Sequence, residues 1–284
     1  MVNYYIDIGS STIKTYAEEN GRLELRDEFS TLFKNGFTKE AGVAKENVEA
    51  LLCHLKELNL PAAKTFATGI WREIPSAQAE FLTGASPYGF NVISHGEEAE
   101  YLKRAADALD FGDKAAMIIN MGGKTTEIVA RAGKSAEIKT LKFGVADLLD
   151  KFPEQNDEIS SAKISDMESF AAEKLADTEF GPRFDFALLT GELRFEKLSG
   201  YPLRPNAQFS DPNHPYELSL ADFIRGTERI FYEMTLTDLK SLMPKNPNWM
   251  TGARAGAILP LAVFKRANIG VIVPSDLNLI NGVL

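Results

Sequence analysis

Hydrophobic and polar positions alternate from the start of the chain. Residues 2–8 are rich in β-forming side chains, the run breaks at Gly9-Ser10-Ser11-Thr12, and a second extended run covers 13–18. Two such runs around small and hydroxylated residues predict a β-hairpin with a backbone-rich tip. The period then lengthens. Val48, Leu51, Leu52, Leu55 and Leu58 recur at helical spacing, predicting an amphipathic helix with Thr38 as its N-cap and its end near Asn59. A strand over 63–67, a short helix after Thr68, a strand over 91–94 and a helix over 97–109 follow.

After Gly112 the opening pattern restarts: a strand over 115–119, the turn Met121-Gly122-Gly123-Lys124-Thr125, and a strand over 127–130. Strand, glycine/hydroxyl turn, strand, met twice, reads as an internal repeat and suggests a duplicated domain, divided as 1–113 and 114–284. Further along the pattern predicts a strand over 186–189, a polar, proline-rich loop over 201–215, one long helix over 218–242, a helix over 253–265 and a last strand over 269–273. Strands interleaved with helices place the chain in the α/β class.

The length of 284 residues suits two domains, and a composition 44% hydrophobic and 25% charged is that of a globular protein. No stretch reaches the roughly 18 consecutive apolar residues of a spanning helix, and no basic segment followed by an apolar one opens the chain. A single cysteine, Cys53, excludes an internal disulfide and fits a reducing compartment, so a cytoplasmic location is expected. Its apolar neighbours suggest that Cys53 packs into the core. The net charge of −9 argues against a broad nucleic-acid or membrane surface. A polyanionic ligand would need a local cluster of Lys, Arg, backbone N–H groups or a metal.

Two turns offer such a cluster. Asp7-Ile8-Gly9-Ser10-Ser11-Thr12 puts a carboxylate at a strand end before residues small enough for backbone N–H groups to converge on an oxyanion. A plain hairpin turn explains this hexapeptide equally well. Asn120-Met-Gly-Gly-Lys-Thr-Thr-Glu127 repeats the chemistry with two glycines, two hydroxyls and a lysine. Gly123-Lys124-Thr125 is not a Walker A end, because the glycine required five positions earlier is Ile118. Glu97 and Glu98 open a helix, where the macrodipole favours carboxylates in any protein. His54, His95 and His214 lie in no metal-ligand spacing.

With both turns, the segment Ala67-Thr68-Gly69-Ile70-Trp71-Arg72-Glu73 and the segment Ile93-Ser94-His95-Gly96-Glu97-Glu98-Ala99 resemble, in order and spacing, motifs of the exopolyphosphatase and guanosine-pentaphosphate phosphohydrolase (Ppx/GppA) family. The stretch 249–284, with Arg254 before an alanine-rich helix and a final Asn-Gly-Val-Leu, resembles that family's ending. The resemblance implies two actin-like (ribonuclease H-like) α/β domains with an interdomain cleft, and hydrolysis of inorganic polyphosphate or a pyrophosphate-bearing nucleotide with Mg²⁺. It implies Arg72 as a phosphate ligand, Glu97 as the base that activates water, and Asp7 with Glu127 as groups that hold Mg²⁺ or orient water. Gly9, Ser10, Ser11, Gly122, Gly123 and Thr125 would line the phosphate turns. Homodimerisation is left open.

The chain departs from the family pattern at several positions. Asn120 stands where an aspartate is usual, which weakens the case for a metal there. Lys124 replaces a glycine and would add a charge aimed at phosphate. Bulk and charge occupy a glycine-rich segment at Leu189-Thr190-Gly191-Glu192-Leu193-Arg194-Phe195, and Ile280 and Asn281 replace an arginine and an acid. These departures keep two alternatives in view: a phosphate-ligand sensor without turnover, and an actin-like ATP-binding protein such as a kinase or reactivating ATPase.

Overall fold

The computed structural model describes residues 2–31, 33, 36–133, 135–181, 183–190, 202–244 and 247–284. The chain forms two compact units, Met1–Glu98 with Leu284, and Ala99–Val283. The sequence repeat restarts later, at the first strand of the second sheet.

In the first unit, β1 (Asn3–Ile8), β2 (Thr12–Glu19) and β3 (Arg22–Ser30) form an antiparallel meander, and β4 (Lys64–Ala67) lies parallel to β1, giving the order β3-β2-β1-β4. The β2–β3 turn is Asn20-Gly21 with both residues at positive φ (55° and 79°), the pair that a two-residue hairpin with native twist selects. Sequence periodicity missed β3 because its run, RLELRDEFS, is largely charged and half exposed. On α1 (Lys45–Glu57), Val48, Leu51, Leu52 and Leu55 are buried in a cluster with Ile6, Ile8, Ile13 and Trp71. The helix starts after Ala44, not Thr38. Thr38 instead bridges Gly42, and its hydroxyl accepts from Ala41 N–H, so a tight extended turn precedes the helix. The expected strand at 91–94 reduces to one parallel bridge between Ala67 and Val92. A 3₁₀ turn (Gly69–Glu73) and α2 (Ser76–Ala85) connect β4 to that bridge.

The helix α3 (His95–Asp107) begins in the first unit and runs into the second, where Leu102, Ala105 and Ala106 pack with Phe111, Ala116, Ile118 and Phe186. The second sheet has the order β7-β6-β5-β8-β11-β10-β9 among the described residues. Its strands are β5 (Ala115–Met121), β6 (Thr126–Ala132), β7 (Ser135–Leu141), β8 (Phe186–Thr190), β9 (Arg204–Pro205), β10 (Tyr216–Ser219) and β11 (Val271–Ser275). An antiparallel β5–β6–β7 meander with β8 parallel to β5 reproduces the connectivity and directions of β1 to β4. The repeat read from the sequence is therefore a duplicated topology. The buried residues of β5, and of β8 up to Leu189, are apolar, as expected of strands covered on both faces.

The helices of this unit are α4 (Val145–Lys151), α5 (Ile164–Lys174), α6 (Leu220–Tyr232), α7 (Leu236–Ser241) and α8 (Ala253–Arg266). The single helix expected over 218–242 is two, because Thr235 and Asp238 form a capping box that starts α7. The last strand extends to Ser275, beyond the expected 273. Arg254 is buried, and its guanidinium donates to the carbonyls of Ile230 (2.9 Å), Met234 (2.7 Å), Asp157 (3.0 Å) and Gln155. Carbonyls at the end of α6 and beside a 3₁₀ turn (Pro153–Asn156) thus satisfy a charge that would otherwise be costly to bury.

Cys53 is exposed, contrary to the expectation of core packing. It occupies the outer side of α1 and contacts Glu57 Oε1 at 3.3 Å. His54 stacks on Phe29 and pairs with Asp27, while His214 bridges Asp211 Oδ2 (3.0 Å) and Ser275 Oγ (2.6 Å), holding part of the loop expected over 201–215 against the end of β11.

Candidate functional site

The two glycine/hydroxyl turns close with the same hydrogen bond. Gly9 N–H donates to Thr12 O at 2.9 Å, and Gly122 N–H donates to Thr125 O at 2.7 Å. They differ in what holds them. The first is clamped by the 3₁₀ turn after β4: Ser10 Oγ accepts from Ile70 N–H (3.1 Å) and Trp71 Nε1 donates to Gly9 O (3.0 Å). Gly69 lies at φ +64°, a conformation that favours glycine, and a Cβ there would fall 2.1 Å from Ser10 Oγ and force that side chain to turn. Ser11 takes part through its carbonyl, which accepts from Thr31 N–H at 3.2 Å.

Asp7 precedes this turn on β1, paired in register with Lys14 on β2 and Phe66 on β4. Its Oδ1 has no accessible surface and no hydrogen-bond partner among the described residues. Burial pushes the carboxyl up to about 7; Lys14 opposes the shift, Glu98 adds to it and Arg72 opposes it. Lys14 is therefore the cross-strand counter-charge of Asp7.

The pair Glu97–Glu98 is resolved by geometry. Glu97 Oε2 accepts from Ser94 N–H (2.8 Å) and Ser94 Oγ accepts from Glu97 N–H (3.2 Å), a reciprocal capping box at the start of α3. The Ser94 backbone N–H and hydroxyl hold the exposed Glu97 carboxyl below its ordinary range. Glu98 points the other way, is buried, and forms an ion pair with Arg72. Of the two acids, Glu98 is the one paired with Arg72, while Glu97, expected as the base, caps α3. The pattern Ser94-x-x-Glu97 is itself a capping-box signature, so the sequence held the signal that separates the two acids. Arg72 is more engaged than a waiting phosphate ligand: Nε donates to Ile93 O (2.7 Å), Nη1 meets His95 Nδ1 (2.9 Å) and Nη2 holds Glu98, with the side chain 10% exposed.

The second turn rests on α4. Val145 N–H and Ala146 N–H donate to Gly122 O (3.1 Å) and Gly123 O (2.7 Å), and a Cβ on Gly144 would meet backbone atoms of Gly122 and Gly123 at 2.6 Å. Behind the turn, Thr126 Oγ1 donates to Phe143 O at 2.9 Å. Asn120 is spent at both ends of its amide: Nδ2 donates to Glu127 Oε2 (3.2 Å) and Oδ1 accepts from Thr190 Oγ1 (3.0 Å). Glu127 is fully buried. Lys124 does not point freely toward an incoming anion, as its place in the motif suggested; Nζ pairs with Asp147 (3.2 Å) and Asp150 (2.9 Å) on α4. Partial burial lowers its pKa, but these carboxylates outweigh that and leave it raised.

Asp7 Oδ1, a buried carboxylate oxygen without a partner among the described residues, suits a hard divalent cation. Asn120, a neutral amide with both ends occupied, does not. Ile280 is buried, and Asn281 Oδ1 accepts from Asn278 N–H (2.9 Å) in a terminal 3₁₀ cap. Gly191, Glu192, Leu193, Arg194 and Phe195 lie outside the described residues. No described helix is long and apolar enough to cross a membrane.

No protein-family model and no curated protein matches the chain. Solved structures do. The Ppx/GppA protein of Aquifex aeolicus is 19% identical with a TM-score of 0.72, covering 100% of this chain and 96% of that one. An exopolyphosphatase from Cytophaga hutchinsonii is 16% identical with a TM-score of 0.78 over 100% and 96%. An exopolyphosphatase-like protein is 16% identical with a TM-score of 0.73 over 99% and 96%. The fold of this chain is thus the two-domain actin-like α/β fold of the Ppx/GppA structures, in agreement with the resemblance read from its motifs.

Proposed function

We propose that the chain is a phosphoanhydride hydrolase that releases orthophosphate from inorganic polyphosphate or a pyrophosphate-bearing nucleotide. The observation that carries this reading is the cluster in the first unit: Asp7 with a buried Oδ1 that has no partner among the described residues, and Glu98 oriented by Arg72, beside a clamped glycine/hydroxyl turn. In the proposed reaction Glu98, rather than Glu97, takes a proton from water as the water oxygen attacks the terminal phosphorus. The bond to the bridging oxygen breaks and the shortened chain leaves. Asp7 would hold Mg²⁺, which when bound neutralises charge on the phosphoryl oxygens. Arg72 keeps Glu98 in place and has further N–H groups to donate, and the turn amides at Ser10 and Ser11 would bind phosphate oxygens. Positioning and charge neutralisation dominate phosphoryl transfer, so these roles suffice without a covalent intermediate. The similarity to exopolyphosphatase structures supports the substrate class.

A second reading, binding without turnover, is favoured by the second turn, where Asn120 and Lys124 are already occupied. The experiment is orthophosphate release from long-chain polyphosphate with Mg²⁺, for the wild type and Glu98→Gln, alongside binding of the same polymer. Release that falls by about 10²–10⁴ in the variant with binding retained is the expected result for loss of a general base. Binding without release by the wild type overturns the hydrolase and leaves the second reading.

A further inference from the structure

The ion pair between Lys124 and α4 is hard to explain as a stabilising device. Asp147 already has a structural duty, since its Oδ2 accepts from Gly144 N–H at 2.9 Å and caps α4. Asp150 has none. It lies in the last turn of α4, at the negative end of the helix dipole, where a carboxylate is disfavoured, and its side chain is 73% exposed. The one ion pair it makes among the described residues is with Lys124, at 2.9 Å. Lys124 in turn is 54% exposed on a long, rotatable side chain and sits next to Gly123 and Thr125, in the turn whose backbone suits an oxyanion.

We infer that Asp150 is a positioning residue that, with Asp147, holds Lys124 off the second turn until a polyphosphate-type anion draws the ammonium away. The inference rests on the proposed phosphate-binding role of that turn. A ligand must then compete with two carboxylates for one ammonium, which lowers affinity for short phosphate chains and favours ligands with enough charge to win. Release of Lys124 would need a side-chain rotation only, because the turn backbone is pinned by Val145 and Ala146.

The test is a double-mutant cycle on tripolyphosphate binding, measured by calorimetry in EDTA at fixed ionic strength, with wild type, Asp150→Asn, Lys124→Gln, the double variant and Asp150→Glu. Asp150→Asn should bind about three- to fivefold more tightly than wild type, the range an exposed ion pair allows. Asp150→Glu should restore wild-type affinity, Lys124→Gln should bind more weakly, and Asp150→Asn should have no effect in the Lys124→Gln background. An equal gain from Asp150→Asn in both backgrounds would show simple like-charge relief and overturn the latch alone. Unchanged affinity in Asp150→Asn also overturns it while leaving the hydrolase intact. If no variant binds tripolyphosphate, the phosphate-binding reading of the turn falls and the latch with it.

Discussion

The first and second turns are built on one plan and end in different chemical states. Both follow the first strand of a duplicated meander and close through the same glycine N–H to threonine C=O bond. In the first, the strand before the turn carries a carboxylate with a buried oxygen that has no partner among the described residues; in the second it carries an amide already hydrogen-bonded at both ends. The first turn is braced by hydrogen bonds from a 3₁₀ segment, the second by backbone hydrogen bonds from the start of a helix. A shared backbone scaffold therefore does not imply shared chemistry. What differs is the set of side chains that the surrounding elements leave free.

The sharpest way to break this comparison is to truncate the equivalent residues. Asp7→Ala should reduce orthophosphate release by roughly 10²–10³, the scale for removing one preorganised electrostatic group, while Asn120→Ala should change it only a few fold. Equal losses would mean that both turns do the same work. Stability should show the opposite face of the same contrast. The unfolded chain releases the Asp7 proton near 3.8, but the folded protein holds it to about 7. Between these values the folded state binds more protons, so its stability falls as pH rises through this window. Asp7→Asn should abolish that fall and gain on the order of a few kcal/mol at pH 8 relative to wild type, with little difference at pH 4, in thermal melts with EDTA.

The braces can be compared next. Gly144→Ala places a Cβ against backbone that cannot rotate away and should cost about 2–3 kcal/mol in urea unfolding. Gly69→Ala meets a serine side chain that can turn, leaving mainly the left-handed strain of about 1–2 kcal/mol. A larger cost at Gly69 would reverse the order of rigidity assigned to the two turns. The smallest effect is expected at Lys124→Gln, below about 1 kcal/mol, because its ion pairs are exposed. A loss above that would make the pair a structural brace.

Local pattern sufficed for much of this protein. The hairpins around both turns, the apolar face of α1 and the duplicated strand–turn–strand units follow from residues within a few positions of one another, because strand and helix periods are local properties. The α/β class and the family resemblance of the motifs were legible for the same reason. Even the assignment of Glu97 to a cap was available, in Ser94 three residues before it. Charge-rich β3 and the break between α6 and α7 were misread because half-exposed strands and capping boxes interrupt hydrophobic periodicity without changing composition. The state of each functional group was decided only by the tertiary structure. Glu98 meets Arg72 across 26 residues, Thr190 reaches Asn120 across 70, and Asp150 reaches Lys124 across 26. Burial, hydrogen-bond saturation and the pKa of Asp7 depend on which side chains converge in space, and spacing along the chain carries no measure of that.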